Sequence, residues 1–166
     1  MTNREDHASS LSIMDYLAKF AEFIMVTLTI LMIGLVTYQV FERYVLHYTP
    51  PWSEELAVYL MIWFGILGIA IGVRRHSHMA LEYFADKMPK MVQKGFRLFN
   101  YVLMLIYSSV LVYEGINMVE LTMSQKSPAI GLPVGYVYLA LPVSAVLMVL
   151  FIIEALVKEI KKGRAI

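Results

Sequence analysis

The chain has 166 residues, 59% of them hydrophobic and only 16% charged, and its mean hydropathy of +0.64 lies above the range of soluble domains. Its formal net charge of +1 leaves no global positive excess that would attract nucleic acid. The lack of cysteine excludes disulfides, thiol catalysis, iron–sulfur clusters and cysteine-ligated zinc. The composition therefore predicts an integral membrane protein.

Four long apolar runs predict an all-α protein, a single membrane domain over residues 1–166 that crosses the bilayer four times. Each helix can satisfy its own backbone hydrogen bonds inside lipid. The expected helices cover residues 20–46, 53–74, 96–120 and 133–158. Amphipathic patterns in residues 11–19 and 77–93 predict two further segments that lie along the membrane surface.

The clearest boundary signals surround the start of the second helix. Pro51 stops the preceding segment, and Ser53 is expected to cap the new helix. Glu54 and Glu55 then fall in its first turn, where the helix dipole favours negative charge. An ion pair between Arg43 and one of these glutamates is expected to join the first two helices.

The distribution of basic residues predicts the orientation in the membrane. Twelve of the fourteen lie before the first helix, between the second and third, or after the fourth, and only Arg43 and Lys126 lie on the other side. Both termini are therefore expected in the cytoplasm. We expect Arg74, Arg75 and His78 to anchor the cytoplasmic interface, with anionic phospholipid headgroups engaging the arginines.

Small and aromatic residues in the second helix suggest packing surfaces. Gly65, Gly68 and Gly72 fall on one side, and the last two have a spacing that permits close contact between helices. This contact involves either the chain's own bundle or a second protein. Trp52 and Trp63 are residues of the type that favours membrane interfaces.

The sequence offers little transport, redox or catalytic chemistry. Its membrane carboxylates are expected near helix ends, where solvent reaches them: Glu42, Glu114, Glu120 and Glu154. The histidines lie outside the apolar runs, so axial haem ligands are not expected, and no serine, histidine and acid spacing indicates an enzyme. An independent small exporter or a redox membrane anchor remains the alternative to a subunit that depends on partners.

One ordered set of residues stands out in the chain: Arg43-Tyr44, Pro51-Trp52-Ser53-Glu54-Glu55-Leu56, Trp63, Gly68, Arg74-Arg75, His78 and Met88-Pro89. This set resembles the small membrane subunit of tripartite ATP-independent periplasmic (TRAP) transporters. The Trp-Ser-Glu-Glu-Leu segment is the strongest part of the resemblance, which also includes the turn from Gly131 into the fourth helix.

This resemblance implies a three-part uptake system in the bacterial inner membrane. A periplasmic binding protein would deliver an organic acid, such as sialic acid or a four-carbon dicarboxylate, to two membrane subunits. The large subunit would perform sodium-coupled translocation, and this chain would be its scaffold in a heterodimer. No cofactor, metal or substrate ligand is therefore expected here. Residues expected near the outer docking region are Tyr48, Pro51, Trp52, Glu54, Glu55, Ser127 and Gly131.

Overall fold

The computed structural model describes residues 13–76 and 90–163, which form helices and loops with no β-strand among them. Four long helices are each long and apolar enough to cross a membrane. This confirms the predicted all-α membrane fold with four spans. The long helices are α1 (Ile13–Phe41), α2 (Pro51–His76), α3 (Lys90–Met123) and α4 (Ala140–Gly163). A π-helical segment, Glu42–Leu46, follows α1, and a one-turn helix, Gly135–Tyr138, precedes α4.

Two helices extend beyond the ranges expected from hydropathy. Residues 13–19 were expected to form a separate surface segment, but they belong to α1 without a break. Residues 90–93 likewise belong to α3, while 11–12 and 77–89 of the two expected surface segments lie outside the described residues. Charged side chains do not end these helices, because a continuous helix keeps the backbone hydrogen-bonded through the membrane interface.

The first turn of α2 differs from the expected cap. The helix begins at Pro51, a residue suited to the first helical position because that position needs no backbone N–H donor. Ser53 therefore lies inside the first turn, and its hydroxyl donates to the carbonyl of Pro50 at 2.9 Å. The prediction that Ser53 caps the helix is wrong, since its oxygen serves as a donor to the preceding turn.

The four helices form a single layer in the order α1, α2, α4, α3. Each packs mainly on its neighbour in that order, and α1 reaches α4 only over a short stretch. A core cluster joins the last three through Ala70, Tyr101, Met148 and Ile152. Even in the most buried span, which runs from Gly135 to Lys158, only 33% of the most apolar stretch is buried within the protein. The layer therefore leaves wide apolar surfaces for lipid or for another membrane protein.

A close helix contact in the layer lies between α3 and α4. A Cβ atom placed on Gly115 would lie 2.9 Å from Cδ of Pro142 and 3.0 Å from its backbone nitrogen. The helical path into α4 is interrupted at Leu139, as expected where a proline removes a backbone donor one turn later. Gly115 therefore permits α3 to pack against the proline-containing turn.

The glycines of α2 make no comparable contact within the described chain. A Cβ atom placed on Gly65 or Gly72 would have no neighbouring atom within 4 Å, and one placed on Gly68 would lie 3.8 Å from Sδ of Met25. Close packing of this side inside the chain's own bundle is therefore not observed. Contact of these glycines with a second protein stays a prediction.

The contact at Gly115 predicts a position-specific loss of stability. Gly115→Val should lower the free energy of unfolding by about 1–3 kcal/mol, because the ring and backbone of Pro142 cannot rotate away from the new side chain. Gly34→Val is the matched control, since no atom lies within 4 Å of its Cβ position. Thermal unfolding in detergent measures both, and equal melting temperatures for the two variants would contradict the packing argument.

Candidate docking surfaces at the two ends of the helix layer

Local contacts hold the turn from α1 into α2. His47 adopts a left-handed φ of 52°, which redirects the chain after the π-helical segment. Gln39 Nε2 donates to the carbonyl of Ser53 at 2.6 Å. The rings of Tyr38 and Trp52 lie 6.4 Å apart between centroids at a 35° tilt. We call this turn, together with the loop 124–134, the hairpin end of the layer.

The expected ion pair at the hairpin end is present and involves Glu54. Arg43 Nη2 lies 3.5 Å from Glu54 Oε1, and the two side chains are 67% and 59% exposed. An exposed pair of this kind contributes about 0–1 kcal/mol to stability. Both groups are thus available to another protein at this surface, where Trp52 and Tyr48 are also exposed.

Glu55 has a different use, which the sequence did not indicate. Its Oε2 accepts hydrogen bonds from the backbone N–H groups of Ala129 and Ile130, each at 3.1 Å. Its Oε1 accepts the hydroxyl of Tyr59 at 2.8 Å. The carboxylate therefore ties the first turn of α2 to the loop between α3 and α4, more than seventy residues later in the chain.

The loop that receives Glu55 has its own backbone bonds. Ser127 N–H donates to the carbonyl of Leu132 at 2.9 Å, and Gly131 N–H donates to that of Ser127 at 3.0 Å. Gly131 has a φ of +75°, a conformation that glycine adopts without steric cost. The turn expected around Gly131 is confirmed, and it presents two N–H groups toward the carboxylate on α2.

Arg74 joins three helices at the opposite end, which we call the arginine end. Its Nη2 lies 2.6 Å from Oδ1 of Asp15 on α1 and 3.6 Å from Oε2 of Glu154 on α4. The guanidinium also lies 5.2 Å from the ring centroid of the buried Phe151. With a side chain only 22% exposed, Arg74 is held by acids of its own chain.

Arg75 makes a second connection to α1. Its Nη2 lies 2.7 Å from Oε1 of Glu22, yet the arginine side chain is 61% exposed. Contact with phospholipid headgroups therefore stays a prediction for Arg75, whereas the guanidinium of Arg74 is already engaged by protein. His78, expected in the same anchoring group, lies outside the described residues.

Two carboxylates lie elsewhere than expected. Glu42 was expected to be solvated, but its side chain is buried, the residue is 3% exposed, and Oε2 has no hydrogen-bond partner among the described atoms. Glu114 was expected near a helix end, but α3 continues to Met123, nine residues further on. Glu114 therefore lies within the membrane-spanning part of α3, and its side chain is exposed. The expectation failed because the charge-free run ends at Tyr113, whereas the helix and its span continue to Met123.

A groove of about 590 Å³ lies along the layer and is lined from all four helices. Trp63 contributes to it, together with apolar side chains that include Leu17, Ile24, Leu67 and Leu147. Such a lining suits hydrocarbon, because the Trp63 indole is its only side chain with a polar atom and none of its side chains is charged. Among residues 13–76 and 90–163, no group of three or more histidine or acidic side chains is placed to hold a metal ion.

Comparison with known proteins identifies the family. Residues 32–162 match the model of the family described as "Tripartite ATP-independent periplasmic transporters, DctQ component". The chain belongs to this family. The resemblance expected from the Trp-Ser-Glu-Glu-Leu segment is thereby confirmed.

Individual relatives of this DctQ-family chain agree with the match. It is 30% identical over 152 residues to the sialic acid TRAP transporter permease protein SiaT of Haemophilus influenzae, covering 92% of the chain and 25% of the relative. It is 26% identical over 152 residues to the isethionate TRAP transporter permease protein DctMQ of Oleidesulfovibrio alaskensis, covering 87% and 24%. The small permease protein SiaQ of Vibrio cholerae is 27% identical over 128 residues, covering 77% and 74%. The chain thus spans about a quarter of SiaT and DctMQ.

The role of Glu55 predicts a local change in the loop. Glu55→Ala should speed hydrogen exchange at the amides of Ala129 and Ile130 by about tenfold or more, because their charged acceptor is removed. Exchange measured by mass spectrometry over the loop checks this. Glu54→Ala is the matched control, since its carboxylate pairs with Arg43 and not with the loop. Equal exchange rates at the loop amides in the two variants would show that the loop keeps its conformation without Glu55.

The arginine end predicts a contrast between two arginines. Arg74→Gln should lower the free energy of unfolding by about 1–3 kcal/mol, because two acids lose their shared and partly buried cation. Arg43→Gln should change it by less than about 1 kcal/mol, since its pair is exposed. Thermal unfolding in detergent compares the two, and a larger effect of Arg43→Gln would refute the ranking.

Proposed function

We propose that this DctQ-family chain is the small subunit of a TRAP transporter in the bacterial inner membrane. It forms a heterodimer with a large membrane subunit, and a periplasmic binding protein delivers the cargo to the pair. The family match over residues 32–162 is the observation that carries this proposal. Both termini face the cytoplasm in this arrangement, in keeping with the distribution of basic residues.

The role of the chain in the complex is that of a scaffold. The described helices form a single layer that encloses no polar path across the membrane, and its groove has an apolar lining. The contacts of Glu55 and Arg74 instead hold the layer together at both ends. Such a part can brace the static region of a larger transporter, while sodium coupling and translocation belong to the large subunit. The chain itself performs no catalysis.

The lengths of the relatives support the partnership with a large subunit. SiaT and DctMQ are each about four times as long as the part that matches this chain. The remainder of each is long enough to hold a large membrane subunit in the same polypeptide. Two subunits that occur fused in one chain work side by side, so the present chain is expected to bind a large membrane subunit tightly.

The cargo is an organic acid, and this chain does not select it. The relatives' names include sialic acid, a carboxylate, and isethionate, a sulfonate, at similar identities of 30% and 26%. Because similar small-subunit sequences accompany chemically different cargoes, selection belongs to the binding protein and the large subunit. We propose a carboxylate cargo, sialic acid or a four-carbon dicarboxylate, with no ligand supplied by this chain.

Reconstitution into liposomes tests the proposed function. Sodium-driven uptake of radiolabelled sialic acid or succinate should require this chain, the large membrane protein encoded with it, and the binding protein together. Omitting this chain should reduce uptake to the level of empty liposomes, because the large subunit then lacks its brace. Uptake by this chain alone would instead support an independent transporter, and full uptake without it would show that no scaffold is needed.

A further inference from the structure

Glu114 interrupts an apolar stripe on the exposed side of α3. The stripe, which we call the α3 stripe, follows steps of three and four residues, the spacing of one helix face. All of its members are exposed: Tyr107, Val110, Glu114, Met118 and Leu121. Apolar members need no explanation, because lipid covers them as well as protein does. The carboxylate does need one.

The position of Glu114 along α3 lies within the apolar region of the span. It precedes the end of the helix at Met123 by nine residues, or about 14 Å of helix, and precedes Glu120 by about 9 Å. The span Gly95–Met123 is about 43 Å long, roughly 13 Å longer than the ~30 Å hydrocarbon core, so a bilayer centred on it places Glu114 about 7 Å inside the hydrocarbon edge. A charged group facing lipid at such a depth is costly, and intramembrane acids therefore usually face protein or water.

The α3 helix cannot rotate to bring the carboxylate of Glu114 against the other helices. The next residue, Gly115, is buried against Pro142 of α4 with no room for even a Cβ atom. That contact fixes the rotation of the helix, so Glu114 lies about 100° around α3 from the side that faces α4, and its side chain is exposed. The described residues supply Glu114 with no hydrogen bond or ion pair, whereas Asp15, Glu22 and Glu154 are all paired with arginine or lysine.

We propose that the α3 stripe is a docking surface for the large membrane subunit, and that a lysine or arginine of that subunit pairs with Glu114. This inference rests on the proposed function for the identity of the partner. The apolar members of the stripe provide van der Waals contact, and the ion pair sets the register between the two proteins. Within the layer, α3 is an edge helix, so one side of it is open to a neighbour.

Charge variants test the pairing in the complete complex. With an affinity tag on the large subunit, Glu114→Lys should reduce the amount of co-purified small subunit by about tenfold or more, because two cations then meet at a buried contact. Glu114→Gln should cause a smaller but measurable reduction. Glu120→Lys and Glu120→Gln are the matched controls on the same helix, off the stripe, and should change recovery by less than about twofold.

Wild-type recovery for Glu114→Gln would show that the carboxyl is neutral and has no cationic partner, which would overturn the pairing. Equal losses for Glu114→Lys and Glu120→Lys would also overturn it. A photo-reactive amino acid at Tyr107 or Leu121, with Glu114 intact, covers the case in which charge variants fail to fold. Cross-links to the large subunit are expected from both positions. Cross-links to a second copy of this chain, or to no protein, would refute the docking surface.

The two proposals fail in distinguishable ways. If wild-type chain co-purifies with the large subunit and is needed for uptake, but neither stripe position cross-links to it, the α3 stripe is refuted and the scaffold function stands. If the wild-type chain neither co-purifies nor affects uptake, both proposals are refuted. The liposome assay therefore provides the reference against which the cross-linking result is judged.

Discussion

Apolar helices gain little from the hydrophobic effect by associating inside a bilayer, since lipid tails cover them as well as other helices do. A thin layer of such helices depends on close packing and on polar contacts near its ends. Both are present. Gly115 permits α3 to approach Pro142, Glu55 binds the loop before α4, and Arg74 joins α1, α2 and α4. The polar contacts connect elements distant in sequence, so they maintain the order of the layer.

Among the described residues, this arrangement also leaves no enclosed polar site for transport. A transporter needs polar groups that converge on a site within the membrane, and a single layer has no enclosed interior in which they can converge. The groove along the layer is apolar. The arginines and their acidic partners form ion pairs between helices at the two ends of the layer. A subunit built in this way is suited to support a neighbour, whose static part then keeps a constant position in the membrane.

Hydropathy and spacing predicted the four spans, an ion pair of Arg43 with Glu54 or Glu55, and the turn at Gly131, because each depends on residues close together in sequence or on composition alone. The structure assigns the pair to Glu54. The same reasoning did not identify the glycine on which α3 and α4 meet. It singled out Gly68 and Gly72 for their regular spacing, and their contact with a second protein stays a prediction, whereas the tight contact between α3 and α4 occurs at Gly115, which has no glycine partner there. Spacing records which residues share a face, but not which face another helix approaches.

The sequence by itself determined the class of fold, the number of spans and the family, since apolar length, charge distribution and the Trp-Ser-Glu-Glu-Leu motif are local properties of the chain. Only the tertiary structure decided how the charged residues are used. In the structure, Glu55 accepts hydrogen bonds from a loop more than seventy residues away, and Arg74 pairs with acids on two other helices. Glu114 is exposed within its span. The physical reason is that a side chain's partner depends on how helices are ordered and rotated, and long-range packing sets both.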